Sequence, residues 1–437
     1  MNTSPTVRDA RWHEGTSQTA HGPVKDTHFG PIPDDWEVRH LGDVADIISG
    51  ATPSTTNPSY WNGGIKWCTP TDITGTKGRY LVETERTISQ KGLNNCSARL
   101  LPPGTLLLCS RATIGEVRIA ATAICTNQGF KSLVCRDSVN NEFLYYAVLT
   151  MKPRMIARAI GSTFLELSKS DAASLEFVCP PRSEQNLIAS ALSATDAQIG
   201  SLDRLVAKKI AIKHAAMQQL LSGKTRLKGF ASKWENKKLG ELLYDCWGGS
   251  TPSRARPEFF RGTIPWITSG ELEYGLITDT KEKITNEAMR EANLKLLPAG
   301  TFLMAITGME AEGTRGACGI VGVEATTNQS CMALMPNDRL LSSFLFHWYV
   351  HNGKALALQY CQGTKQQSYT AGIVRELPIS LPADINEQRE IAGILSDMDT
   401  ELGALNNRFS KVLGIKQAMM QALLTGRVRL IKPEVTA

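Results

Sequence analysis

"EQNLIASALSATDAQIGSLDRL" (184–205) is answered 203 residues later by "EQREIAGILSDMDTELGALNNR" (387–408). The match runs without a gap from 184–227 to 387–430, with 20 of 44 positions identical. A repeat of this length is the signature of a duplicated supersecondary unit. In the first copy, steps of three or four pick out Ile188, Leu192, Thr195, Ile199, Leu202, Val206, Ile210, Lys213, Met217 and Leu220. In the second they pick out Ile391, Leu395, Met398, Leu402, Leu405, Phe409, Leu413, Lys416, Met420 and Leu423. An apolar seam at that spacing belongs to a long helix that pairs with another in coiled-coil fashion. Each copy follows a proline (Pro181, Pro382) and ends at a glycine (Gly223, Gly426), so each predicts a helix of about 40 residues and roughly 60 Å. Leu192, Ile199, Leu202 and Val206 are expected to pack with Leu395, Leu402, Leu405 and Phe409.

The first helix ends in "SGKT" (222–225), which invites a phosphate-loop reading. That loop needs GxxxxGK[ST] between strand and helix, so that backbone N–H groups can turn toward phosphates. The position of its first glycine is Gln218, and the second copy reads "TGRV", with Val428 where a metal-binding hydroxyl is required. The shared feature is a helix C-cap glycine flanked by cations.

The repeat continues upstream with small shifts. "WEVRHLGDV" (36–44) resembles "WENKKLGEL" (234–242), "GGIKWCTPTDI" (63–73) resembles "GTIPWITSGEL" (262–272), and "TNQGF" (126–130) resembles "TNQSC" (327–331). The expected fold class is α+β: two similar globular domains separated by two long antiparallel helices that form a coiled-coil spacer, an internal repeat with pseudo-two-fold symmetry. The expected divisions are a polar, flexible leader over 1–30, a first recognition domain over 31–181, a spacer helix over 182–226, a second domain over 227–382, a second spacer helix over 383–430 and a tail over 431–437. Short apolar runs such as "GTLLLCS" and "GTFLMAIT" read as strands of a curved or barrel-like sheet, and "NNEFLYYAVLTMK" and "LSSFLFHWYVHNGKALALQ" as helices.

Composition narrows the function classes. A 437-residue chain with 42% apolar and 21% charged residues suits two or three globular domains. No apolar run reaches membrane-spanning length, and a cytoplasmic location is expected. Ten cysteines without a CxxC pair read as small core residues in a reducing compartment. His347 and His351 stand one helical turn apart, but with no third ligand they read as polar positions of an amphipathic helix, so no metal and no cofactor is expected. "CPPR" and "LPPG" lack the amide or acid and the aromatic that frame a methyltransferase motif, and no clustered carboxylates suggest a nuclease. The chain reads as non-catalytic.

Loops rich in hydroxyls, Arg/Lys and Asn/Gln suit phosphates and base edges. In the first domain the DNA-binding candidates are Thr52 and Ser54 of "GATPSTT", Lys66, Thr69, Lys77 and Arg79 of "IKWCTPTDITGTKGR", Arg111 and Thr113 of "CSRATIG", and Ser162 of "GSTF". In the second they are Thr251, Ser253, Arg254 and Arg256 of "GGSTPSRAR", Thr268 and Ser269 of "IPWITSGE", Arg315 of "TGMEAEGTRG", and Lys365, Gln366 and Gln367 of "GTKQQSY". Residues 204–228 and 406–432 carry seven and six Lys/Arg with no Asp/Glu, which suits helix C-termini as well as a phosphate-facing surface.

Over about residues 30–430, these features resemble the specificity (S) subunits of type I restriction–modification enzymes. The resemblance rests on "IPDDWEVRHLGDV" and its echo, the "TPS" and "TNQ" segments in both copies, and "EQ…I" opening helices that end "QQLLSGK" and "QALLTGR". It implies two target recognition domains, each reading one half of a split, asymmetric site in double-stranded DNA, with the helices setting the spacer. It further implies two docked modification (methyltransferase) subunits and, through them, restriction (translocase–nuclease) subunits. The N-terminal segment near 30–40 is expected to meet the last helix. The competing class is a two-headed scaffold that binds polypeptide or glycan.

Overall fold

A computed structural model describes residues 23–161, 165–308, 311, 313–361 and 367–431. The candidates Ser162, Lys365 and Gln366 lie outside the described residues. The chain divides into two compact units, one running to Asp203 and resuming at Arg408, the other spanning Arg204–Asn407. Both predicted long helices are present, Arg182–Leu220 and Ile385–Leu423, each 39 residues long. Each helix is shared between the units, so its two halves belong to different cores.

In the first unit a five-stranded sheet has the order Ala45–Ser49, Lys131–Cys135, Leu106–Leu108, Val117–Ala120, Tyr80–Leu81. A three-stranded sheet joins Cys125–Thr126, Trp61–Cys68 and Arg86–Ile88, and Glu37–His40 pairs with Glu176–Cys179. The second unit repeats this plan. Its five strands are Leu243–Gly248, Cys331–Pro336, Phe302–Ala305, Cys318–Val321 and Gly275–Ile277. Its three are Lys283–Ile284, Ile264–Ile267 and Thr326–Thr327, and Trp234–Lys238 pairs with Pro378–Pro382.

The central strands explain the unbroken apolar runs. Leu106 and Leu108 enter one core while Leu107 enters another on the opposite face, so no position of the strand meets water. Phe302, Leu303 and Met304 are equally buried. The predicted helices appear at Asn141–Thr150 and Ser342–Tyr360. A hairpin of Val24–Thr27 and Gly30–Pro33, in the region expected to be a flexible leader, precedes the repeated part.

Within the first unit, Ile188, Ala189 and Leu192 from the start of one long helix share a core with Leu423 and Leu424 from the end of the other. Lys416 bonds Asp196 at 2.6 Å. Within the second unit the roles exchange: Met217, Leu220 and Leu221 pack with Ile391, Ala392 and Leu395, and Lys213 bonds Asp399. Ascending one helix descends the other, so the halves are antiparallel within each unit. Of the seam, Leu192, Leu202 and Leu395 are buried, while Ile199, Val206, Leu402, Leu405 and Phe409 are half-buried. Ile210 and Leu413 depart from expectation, at 41% and 39% exposed. The seam passes instead through the preceding positions, where Lys209 pairs with Glu401 and Val412 is buried. A straight helix gains about 20° per heptad on a 3.5-residue repeat, so a fixed ladder of positions leaves the interface within a few turns.

"SGKT" is a helix end. Gly223 has φ +69°, Gly426 has φ +72°, and the backbone N–H of Thr225 reaches the carbonyl of Gln219 as that of Val428 reaches Ala422. A Cβ on Gly223 would stand 2.9 Å from the Trp234 ring, and one on Gly426 would stand 2.5 Å from Pro33. Beyond the glycines, Arg226 grips Glu387 with two hydrogen bonds of 2.7 Å. Arg429 grips Glu184, and Trp36 Nε1 donates to the same carboxylate at 2.9 Å. The N-terminal segment near residue 35 therefore meets the end of the last helix.

Candidate nucleic-acid interface

In each unit the TPS loop is locked to the TNQ segment. A Cβ on Gly50 would fall 2.1 Å from the Asn127 carbonyl, and one on Gly249 would fall 1.8 Å from that of Thr327; glycine is required for that approach. Thr52 donates to the Gln128 side chain and Thr251 to that of Gln329. Indoles tie the loop from below: Trp67 Nε1 donates to the Ala51 carbonyl at 2.9 Å, Trp61 Nε1 to Ser54 at 3.1 Å, and Trp266 Nε1 to Ser250 at 3.1 Å. The loops are thus shaped before any ligand arrives. Ser54 bonds Thr56, and Ser253 is exposed.

Other candidates are committed to structure in the free chain. Thr69 and Thr268 cap short helices, each giving both its backbone N–H and its hydroxyl to the carboxylate three residues on (Asp72, Glu271). Ser269 opens the turn that Thr268 caps. Lys66 reaches Glu83 at 3.1 Å. Lys77 reaches Asp203 of the long helix at 3.3 Å, and Arg79 reaches Asp196 of the same helix at 3.9 Å and Glu142 of the Asn141–Thr150 helix at 3.4 Å. Arg254 is bidentate to Glu282. Arg256 contacts Glu258, Glu287 and Glu291 at 2.7–2.9 Å. Hydrogen bonding to these carboxylates raises the pKa of both guanidinium groups, and bonding to Arg256 holds the Glu258 carboxyl below its usual range.

The structure brings together loops that are distant in sequence. Arg111 bridges Glu166, and the amide of Leu167 donates to the Ser110 carbonyl, so the start of "CSRATIG" lies beside residues 166–167. Glu166 also receives Lys131 at 3.2 Å. Among the described residues Thr113 Oγ1 is buried with no hydrogen-bond partner, beside Ala112 at φ +61°. In the second unit Thr307 bridges Ser368 and the amide of Tyr369 donates to Ile306, which places the Thr307 end of "TGMEAEGTRG" beside the last two residues of "GTKQQSY". Arg315 lies in that first loop.

Sequence reasoning missed Arg86. Its guanidinium stands 3.7 Å from the Trp61 ring centroid and 5.4 Å from that of Trp67. The signal was available: Arg86 sits two residues before the buried Ile88 in a strand whose partner carries the tryptophans. Among the described residues no group of three or more His, Cys, Asp or Glu is placed to hold a metal. His347 is buried, with Nε2 2.9 Å from Ser396 Oγ. No helix there is long and apolar enough to cross a membrane.

The chain is thus an α+β protein built as an internal repeat, with a matched set of polar loops in each unit and two long helices shared between the units. Residues 33–208 and 231–413 match the family described as the Type I restriction modification DNA specificity domain, and the chain belongs to that family. It is 33% identical over 286 residues to the type I restriction enzyme MjaIX specificity subunit of Methanocaldococcus jannaschii, covering 62% of this chain and 66% of that one. It is 28% identical over 185 residues to the EcoR124I/EcoR124II specificity subunit of Escherichia coli, covering 42% and 45%. The chain thus spans about half to two thirds of the length of these relatives. Its fold is similar to the crystal structure of a type I restriction–modification S subunit from M. genitalium, with TM-score 0.60 and 16% identity over 89% of this chain and 96% of that one.

Proposed function

We propose that the chain is the non-catalytic DNA-reading subunit of a type I restriction–modification complex, in which each unit reads one half of a split, asymmetric duplex site. The observation that supports this best is the pairing of likeness and difference between the units. The loop scaffolds of the TPS and TNQ segments are built alike, whereas the side chains they carry diverge: Thr55 stands where the second unit has Arg254, and "SRATIG" stands against the longer "TGMEAEGTRG". Two copies of one scaffold with different loop chemistry suit two different half-sites.

In this reading the candidate residues act in free-chain ion pairs that DNA phosphates compete for. Phosphate contacts position the units, and the Arg and Gln side chains of the divergent loops specify bases. The long helices fix the unread gap and offer the surface on which two methyltransferase subunits dock, with restriction subunits joining through them. The exposed apolar Leu205, Ile210, Ile212, Leu413 and Ile415 of those helices are consistent with docking. The complex works in the cytoplasm, and hydrolysis of nucleotide belongs to a partner chain.

Footprinting of the reconstituted complex tests the reading. Two short protected patches separated by an unprotected gap are expected. One continuous patch, or protection without sequence preference, rejects the split site and leaves the polypeptide- or glycan-binding scaffold as the alternative.

A further inference from the structure

The two units place opposite charges at the equivalent position of their separate three-stranded sheets. In the first unit Arg86 faces Trp67 across the strand pair. In the second the same place opposite Trp266 belongs to Glu282, whose carbonyl accepts the Trp266 N–H at 3.2 Å. Yet both units end with a guanidinium over an edge-to-face aromatic pair. The pair is Trp61–Trp67 at 5.0 Å and 87° in the first unit, and Phe260–Trp266 at 5.8 Å and 72° in the second. Arg86 covers the first pair from the strand. Arg254, reaching in from the TPS loop, covers the second at 4.1 Å from Phe260 and 5.3 Å from Trp266.

The two guanidinium groups differ in what their edges do. Arg254 spends two N–H donors on Glu282, at 2.5 and 2.8 Å. Arg86 is exposed, and among the described residues no carboxylate stands within ion-pair distance of it. Stacking occupies a guanidinium face and leaves the N–H edge open, and it pre-orders a side chain that otherwise loses rotamer freedom on binding. An open, oriented edge of this kind matches a pair of acceptor atoms, such as guanine O6/N7 in the major groove or two phosphate oxygens. The platform also holds the candidate loop itself, through the bonds from Trp61 and Trp67 to Ser54 and Ala51.

We propose that Arg86 is a DNA-contacting residue of the first unit, presenting two donors to an acceptor pair in its half-site, and that the corresponding guanidinium of the second unit, Arg254, must first exchange Glu282 for DNA before it makes an equivalent contact. This rests on the DNA-reading function proposed above. The test uses the reconstituted complex and duplexes carrying its target, mapped by sequencing methylated bases in cells that hold the complex, with every single-base change in the first half-site.

Arg86→Ala is expected to weaken binding about 5- to 150-fold, the range for loss of one bidentate base contact. Arg86→Lys, which keeps the charge and much of the stem, controls for folding. A guanine contact shows as loss of discrimination at one base pair of the first half-site in both variants. A phosphate contact shows as a uniform loss, a salt slope reduced by about one in Arg86→Ala, and partial rescue by lysine. Either outcome supports the inference. Unchanged affinity and half-site preference in both variants, with the wild-type footprint intact, overturns it. A wild-type complex without a sequence-dependent footprint instead defeats the DNA-reading function itself.

Discussion

Glu184 and Glu387, each 0% exposed, show how single residues hold the repeat together. A buried carboxylate is tolerated only when its lone pairs are filled. Glu184 is served by Arg429, the Trp36 indole and the backbone N–H of Leu430. Arg429→Met is therefore expected to cost about 3 kcal/mol, the lower end for an abandoned buried charge, read as a shift in the urea midpoint. Adding Glu184→Gln should recover part of that loss. His347 offers a second test. Burial pushes its imidazole down to about 4 from 6.5, against an upward pull from Asp399, while Lys213 adds to the depression. The unfolded chain then binds the extra proton first, so this stability is complete above pH 6.5 and falls away toward pH 4, by roughly 3 kcal/mol in all. The corresponding residue of the first unit is Tyr146, whose hydroxyl donates to Asp196 at 2.6 Å. His347→Tyr should flatten the acid limb of a stability–pH curve. At this scale the sequence was least legible. Arg256 reads as a free cation in "SRAR", but its three carboxylate partners come from residues 258, 287 and 291. Only folding reveals that neutralisation.

The long helices were legible because their cause is periodic and local. Apolar spacing, a proline before each start and a glycine after each end sufficed for elements that span 182–220 and 385–423. The partnership of each half was less so, since it depends on which polar residues cross the seam. Lys416–Asp196 and Lys213–Asp399 occupy equivalent places in the two units, and each pins the register of one antiparallel helix pair. Lys416 and Asp196 are each 21% exposed, so their attraction is only partly screened. A double-mutant cycle on Lys416→Met and Asp196→Asn is expected to give a coupling of about 1 kcal/mol, measured by denaturant unfolding. Exchanging the two charges should restore much of the stability that either reversal alone removes. Coupling near zero would mean that apolar packing alone sets the register.

At the scale of the molecule, duplication is what made the architecture readable, and divergence between the copies is what hid the site. On the split-site function proposed above, a residue that is alike in both units cannot distinguish two different half-sites, so the residues that read them lie where the units differ. Those differences sit in loops whose neighbours are fixed by tertiary contacts such as Arg111 with Glu166 and Thr307 with Ser368. Replacing residues 36–181 with the corresponding part of a relative should therefore change one half of the methylated sequence and leave the other half and the gap untouched. The structure adds a condition on the donor. Trp36, Lys77 and Arg79 reach across to Glu184, Asp203 and Asp196 of the long helix, which the exchange retains. A donor with tryptophan and basic residues at those places should yield a stable hybrid with one altered half-site. A donor without them should fail first in stability, with the Trp36 loss heaviest, because it strips a donor from a fully buried carboxylate. Methylome sequencing of cells carrying each hybrid separates the outcomes. A change in both half-sites from the well-matched donor would show that the units do not read independently.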